Sequence, residues 1–100
     1  MLTKNQIIKQ LELHKKEIRT FGVKKLFLIG SYARDEATAR SDIDFLVEFK
    51  AKRGLFDDYQ GLREFLQSCF GKEVDLVKPA LIREELKEYI LGGDKLEARV

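Results

Sequence analysis

A single cysteine, Cys69, a single histidine, His14, and no tryptophan leave this chain without several common chemistries. One thiol closes no internal disulfide, and one thiol with one imidazole is too few for a zinc site. No apolar run approaches the ~20 residues of a membrane span, and the N-terminus lacks the apolar core of a signal peptide. The expected location is therefore the cytoplasm. Charge of one sign is missing too: 19 Lys and Arg stand against 17 Asp and Glu, a net of +2, so no extensive nucleic-acid surface is expected. Low-complexity tracts, repeats and interdomain linkers are also absent, and 100 residues suit one domain, 1–100, with a small core. The uneven feature is at the start, where residues 1–25 hold seven basic residues and two acidic ones. A solvated helix face accounts for that bias, and an acidic partner or a polyphosphate would also suit it.

What is present is concentrated in two short segments, Gly30-Ser31-Tyr32-Ala33-Arg34 and Ser41-Asp42-Ile43-Asp44-Phe45-Leu46-Val47. Lys24 to Ile29 reads as an apolar strand, and Gly30 follows where the chain turns closely and no Cβ obstructs a ligand. Ser31 to Ala37 is helix-compatible, so Ser31 is placed at a helix N-terminus, where free N–H groups and the dipole favour an anion. Arg34, in the first turn, is the better of two arginines for neutralising phosphate; Arg40 is expected in a loop.

The second segment alternates as a strand running to Phe49, so Asp42 and Asp44 share a face about 7 Å apart at Cα. Two carboxylates at that spacing repel unless a proton or cation separates them, and hard oxygen ligands suit Mg²⁺ or Mn²⁺. Asp75 interrupts a third apolar run, Val74 to Val77. A strand placed beside the Asp42 strand would make a three-carboxylate cluster able to hold two divalent ions.

Gly30-Ser31, the Asp42-Ile43-Asp44 triplet and the later Asp75 together resemble the DNA polymerase β-like nucleotidyltransferase superfamily. The likeness is greatest to its minimal nucleotidyltransferases, the antitoxin partners of HEPN toxins, and it covers nearly the whole chain. The resemblance implies a small mixed sheet with packed helices, an α/β (α+β) polymerase β-like fold. It implies ATP as substrate, two Mg²⁺ ions on Asp42, Asp44 and Asp75, and a nucleotide held at Gly30, Ser31, Arg34 and Ser41. The reaction implied is transfer of AMP to a tyrosine hydroxyl of a cognate HEPN toxin, as in a type VII-like toxin–antitoxin pair. Many relatives carry glycine after the arginine, where this chain has Asp35. Two alternatives stay open: an inactive or weakly active module that neutralises a partner by covering it, and a small-molecule nucleotidyltransferase, which short length disfavours.

The remaining pattern fits an α/β domain. Thr3 and Gln6 form a capping box ahead of a helix that presents Ile7, Leu11 and Ile18 and ends at Gly22. His14 is expected on the surface of that helix. Leu55, Tyr59, Leu62, Phe65, Leu66 and Cys69 recur at helical spacing before Gly71, with Asp57 and Asp58 as helix-start acids rather than metal ligands. Pro79 stops the third strand and opens a last helix with Ile82, Leu86, Tyr89 and Ile90, closed by Gly92-Gly93; Asp94 to Val100 is read as a tail.

Overall fold

The computed structural model describes residues 2–79 and 95–100. Helices α1 (Lys4–Leu13) and α2 (Lys15–Thr20) lead into β1 (Val23–Ile29), and the single turn α3 (Gly30–Ala33) follows. Next come β2 (Ile43–Phe49), α4 (Phe56–Phe70), β3 (Val74–Val77) and β4 (Leu96–Ala98). The helix expected around Ile82, Leu86, Tyr89 and Ile90 lies outside the described residues.

The first helix begins as its sequence requires. The Thr3 hydroxyl accepts from the Gln6 N–H, and the Gln6 side chain accepts from the Thr3 N–H, so two donors at the helix start are satisfied. Where one continuous helix was expected, His14 breaks it into two. Its ring meets Phe65 edge-on at 5.7 Å, so His14 is half-buried between α2 and α4 rather than on the surface.

The sheet is mixed, in the order β3-β2-β1-β4: β1 is antiparallel to β2 and β4, and β2 is parallel to β3. The parallel pair needs a crossover, which α4 supplies. The stretch read as a tail instead contributes β4, whose Ala98, opposite Leu26, is buried. Its three residues are too few to show a period, and pairing with β1 holds them extended.

Alternation decides the two faces. Leu26, Leu28, Ile43, Phe45, Val47, Val74 and Leu76 enter one core with Ile7, Leu11, Ile18, Leu62 and Leu66 from the helices. Asp42, Asp44, Asp75 and Leu46 take the other parity and occupy the opposite face. Helix α4 is pinned to β3 by polar contacts as well: the Tyr59 hydroxyl donates to Leu76 O at 2.7 Å and Arg63 Nε to Val74 O at 2.9 Å.

The entry to α4 differs from the sequence reading. Leu55 is not part of the buried stripe; it is the N-cap residue, and it and Phe56 are 74% and 77% exposed. The turn before it is fixed by Asp58, which accepts from Arg53 at 2.8 Å and from the Gly54 N–H at 2.9 Å. Arg53 and that amide hold the Asp58 carboxyl at about 2, below its ordinary 3.8. A depressed carboxyl stabilises the fold above its unfolded value and loses that contribution as pH falls toward the folded one. Asp58→Ala is therefore expected to lower the urea midpoint at pH 7, with the deficit shrinking between pH 3.8 and about 2.

Candidate active site

The site forms at the end of the sheet where β1 finishes and β2 and β3 begin. Ile29, the last residue of β1, pairs with Asp44, and Asp44 pairs on its other side with Asp75. The side-by-side placement of the second and third strands, an expectation from one out-of-place acid, is thus found. Asp75 lies on an edge strand with its side chain exposed between buried Val74 and Leu76, so it needs no buried partner of its own. Asp42 stands one residue before β2 and is exposed.

Asp44 is the constrained member. Its carboxyl is raised from 3.8 to about 6, first by burial, then by the Asp75 charge, a hydrogen bond with Asp75, and the Asp42 charge; Arg34 works the other way. Asp44 is therefore protonated below about pH 6 and ionised at neutral pH, against that repulsion. Among the described residues no three acid, histidine or cysteine side chains already converge as a ligand set. The donors nevertheless suit a hard divalent ion, whose positive charge would offset the carboxylate repulsion that raises Asp44.

Gly30 takes its meaning from the same carboxylate. Its φ is +75°, and a Cβ there would run into Asp44 Oδ2 and come within 3.2 Å of Asp44 Cβ and Cγ. The missing side chain leaves room for Asp44 itself, a closer reason than access for an external ligand. Ser31 follows in a helix of four residues, shorter than the stretch to Ala37 expected from its composition. One turn carries little macrodipole, so anion attraction here rests on local N–H groups.

Arg34 caps α3, reaches Glu36 Oε2 at 3.2 Å and acts electrostatically on Asp44. Ser41 turns away toward its own loop: its Oγ accepts from the Thr38 N–H at 2.9 Å, which ties the turn that delivers Asp42. Tyr32 is core, 2% exposed. Asp35 lies beyond the helix end with φ +59°, and its carboxylate meets Lys4 at 2.8 Å. A helix running from Ser31 to Ala37 would have included it; the left-handed backbone explains why glycine suits this position and why aspartate is tolerated. Cys69 is half-buried, and burial raises its thiol, as befits a packing residue rather than a nucleophile.

A mixed sheet with paired strand-start carboxylates beside a glycine turn defines a nucleotidyl-transfer scaffold. The nucleotidyltransferase domain profile matches residues 6–97, and the chain belongs to that family. It is 38% identical over 92 residues to the protein adenylyltransferase MntA of Thermococcus cleftensis, an alignment spanning 91% of this chain and 92% of that protein. Among solved structures, a toxin–antitoxin complex with AMP-PNP superposes with a TM-score of 0.59 at 29% identity, over 85% of this chain and 64% of that one. A mutant MntA-HpeT toxin–antitoxin complex superposes at 0.63 with 26% identity, over 97% of this chain and 72% of that one. No helix among the described residues is long and apolar enough to cross a membrane.

Proposed function

We propose that this chain moves AMP from ATP to a hydroxyl of a partner protein, a tyrosine of a HEPN-type toxin, in the cytoplasm. The observation that carries the reading is the abutment of Asp44 against Gly30 with Asp75 paired beside Asp44, which gathers acidic oxygens and a glycine turn at one strand end. The protein adenylyltransferase among its relatives supports AMP as the transferred group, and the toxin–antitoxin complexes among its structural neighbours favour a toxin as acceptor.

Asp42, Asp44 and Asp75 would hold Mg²⁺ or Mn²⁺, which when bound neutralises phosphate charge and lowers the pKa of the attacking hydroxyl. Gly30 and Ser31 contribute backbone N–H groups toward the phosphates, and Arg34 adds positive charge on the same side. The acceptor oxygen forms a bond to the α-phosphorus as the bond to the β-phosphate oxygen breaks. The hydroxyl proton passes to Asp75, and pyrophosphate leaves. Ser41 acts through the turn it ties, holding Asp42 in place.

The test is incubation of the purified chain with labelled ATP, Mg²⁺ and a HEPN-type protein, the product of any such gene adjacent to its own. Label on that protein, lost with Asp42→Ala, is the expected result. A complex that silences the toxin equally well without nucleotide and without Asp42 and Asp44 would replace this reading with a binding module. Label on small amino or hydroxyl compounds but not on the protein would point to a small-molecule transferase. Asp35→Gly is expected to leave the transfer rate within about twofold, because Asp35 faces Lys4 and its replacement suits the left-handed backbone.

A further inference from the structure

Of the three acids, Asp42 is the one that no strand holds. It stands exposed one residue before β2, so the pairing that fixes Asp44 beside Asp75 stops short of it. The turn that delivers it is compact: the Thr38 N–H donates to Ser41 Oγ at 2.9 Å, the Ser41 N–H to Thr38 O at 3.0 Å, and the Arg40 N–H to Thr38 Oγ1 at 3.3 Å. All of these bonds are local. They give the turn a shape without fixing where it sits against the sheet.

Its place is set from the connection between α4 and β3. The Lys72 ammonium donates to Ala39 O at 2.9 Å and, at longer reach, to Ser41 O at 3.5 Å. On the other side of Asp42, the Ile43 N–H donates to Glu73 O at 3.1 Å. Two consecutive residues thus grip the chain before and after Asp42. Their own base is firm: Gly71 ends α4 in the left-handed conformation with its N–H on Gln67 O, and Val74 is bound through its N–H to Gln67 Oε1 and through its carbonyl to Arg63 Nε.

Lys72 is half-buried, and its ammonium is directed at carbonyls. No ion pair found among the described residues includes it. A direct pair with Asp42 would neutralise that carboxylate, whereas bonds to the backbone beside it place the group and leave its charge for a cation. Nor is Lys72 among the groups that shift Asp44, where Arg34 is the cation that acts. Its effect on the site is therefore geometric.

The geometry points to Lys72 as a positioning residue for nucleotidyl transfer, one that holds the Asp42 carboxylate where a divalent ion can be shared with Asp44. This rests on the reading of Asp42 as a metal ligand. Asp75 follows Lys72 by three residues on the strand that the same connection begins, so one short segment sets two of the acids. Groups that orient a metal ligand from behind typically govern metal affinity by ~10–100-fold.

The experiment measures Mn²⁺ binding to the purified chain by electron paramagnetic resonance, with and without a non-hydrolysable ATP analogue. Lys72→Met is expected to weaken Mn²⁺ binding by about tenfold. In an Asp42→Ala background the same change should add less than about twofold, because the group it positions is gone. Lys72→Arg, which keeps donors for the carbonyls, should stay within about threefold of the parent. The loss in Lys72→Met should persist at about 0.5 M KCl, where a long-range charge effect would be screened. In the metal-free protein, the Ser41 and Ile43 amides should exchange about tenfold faster in Lys72→Met while those of Leu28 and Phe45 are unchanged, which separates a loosened turn from a weakened fold.

Mn²⁺ affinity within about twofold of the parent in Lys72→Met overturns the inference. So does a loss of equal size in the Asp42→Ala background, a loss that vanishes in salt, or faster exchange spread evenly over the sheet. Each of those results leaves Asp42 standing as a metal ligand. A parent chain that holds no Mn²⁺ under either condition overturns the metal role of Asp42, and this inference with it.

Discussion

Asp44→Asn is expected to abolish nucleotidyl transfer while making the metal-free protein more stable at neutral pH. The amide keeps the shape and a hydrogen bond toward Asp75 but loses the negative charge that a divalent ion and the reacting phosphates require. Loss of several kcal/mol of charge stabilisation corresponds to a rate deficit of roughly 10³-fold. The stability gain follows from the raised carboxyl, at about 6 in the fold against 3.8 for the ordinary group. Between those values the folded protein holds more protons than the unfolded chain, so its stability falls as pH rises through the interval. At pH 7 the full shift would amount to about 3 kcal/mol, and solvent screening of a half-buried group reduces this to about 1–1.5 kcal/mol. Urea unfolding in EDTA should show this decline between pH 3.8 and about 6 in the parent and its loss in Asp44→Asn. Equal pH profiles for the two proteins would mean that Asp44 is not held above its ordinary range.

Gly30→Ala should damage both fold and activity through the same atoms. A left-handed backbone disfavours any Cβ by about 1–2 kcal/mol, and crowding against a packed neighbour adds about 1–3 kcal/mol. The neighbour is the Asp44 carboxylate, so relief of the clash displaces a group proposed above to hold the metal. A shift of that size in a reacting assembly costs roughly 10²-fold in rate. The stability part is separable by a cycle with Asp44→Ala, which removes the Oδ2 and Cγ that Gly30→Ala would strike and leaves only the Cβ. Unfolding measured on the four proteins should give a coupling of about 1 kcal/mol or more, with the double variant more stable than the two single losses predict. Additive losses would place the cost of Gly30→Ala in the backbone alone.

How much of this was legible in the sequence depended on the range over which each signal acts. Gly30 and the pair Asp42 and Asp44 were readable because one glycine and a period of two fix local geometry. Placing Asp75 beside Asp44 required a guess about strand order, motivated only by an acid inside an apolar run, and the parallel register supports it. The purpose of Gly30 was only half visible: its conformation follows from the chain, but its neighbour comes from a strand thirteen residues later. Asp35 and His14 were misplaced because a left-handed residue after one turn and a break in a helix depend on contacts with Lys4 and Phe65. Leu55 was misread for the opposite reason. Its spacing continued the apolar stripe of α4, while the helix begins one residue after it and leaves the side chain outside.

The parallel pairing of β2 with β3 also constrains when activity can arise during folding. The antiparallel pair of β1 and β2 closes over the thirteen residues between Ile29 and Ile43 and by itself brings Gly30 against Asp44. Asp75 arrives only after α4 has crossed the sheet and been fastened to β3 through Tyr59 and Arg63, a slow long-range event compared with hairpin closure. A half-folded chain would therefore display a nucleotide turn with two of its three acids, and would turn over ATP no faster than Asp75→Ala. Catalytic competence is coupled to completion of the sheet.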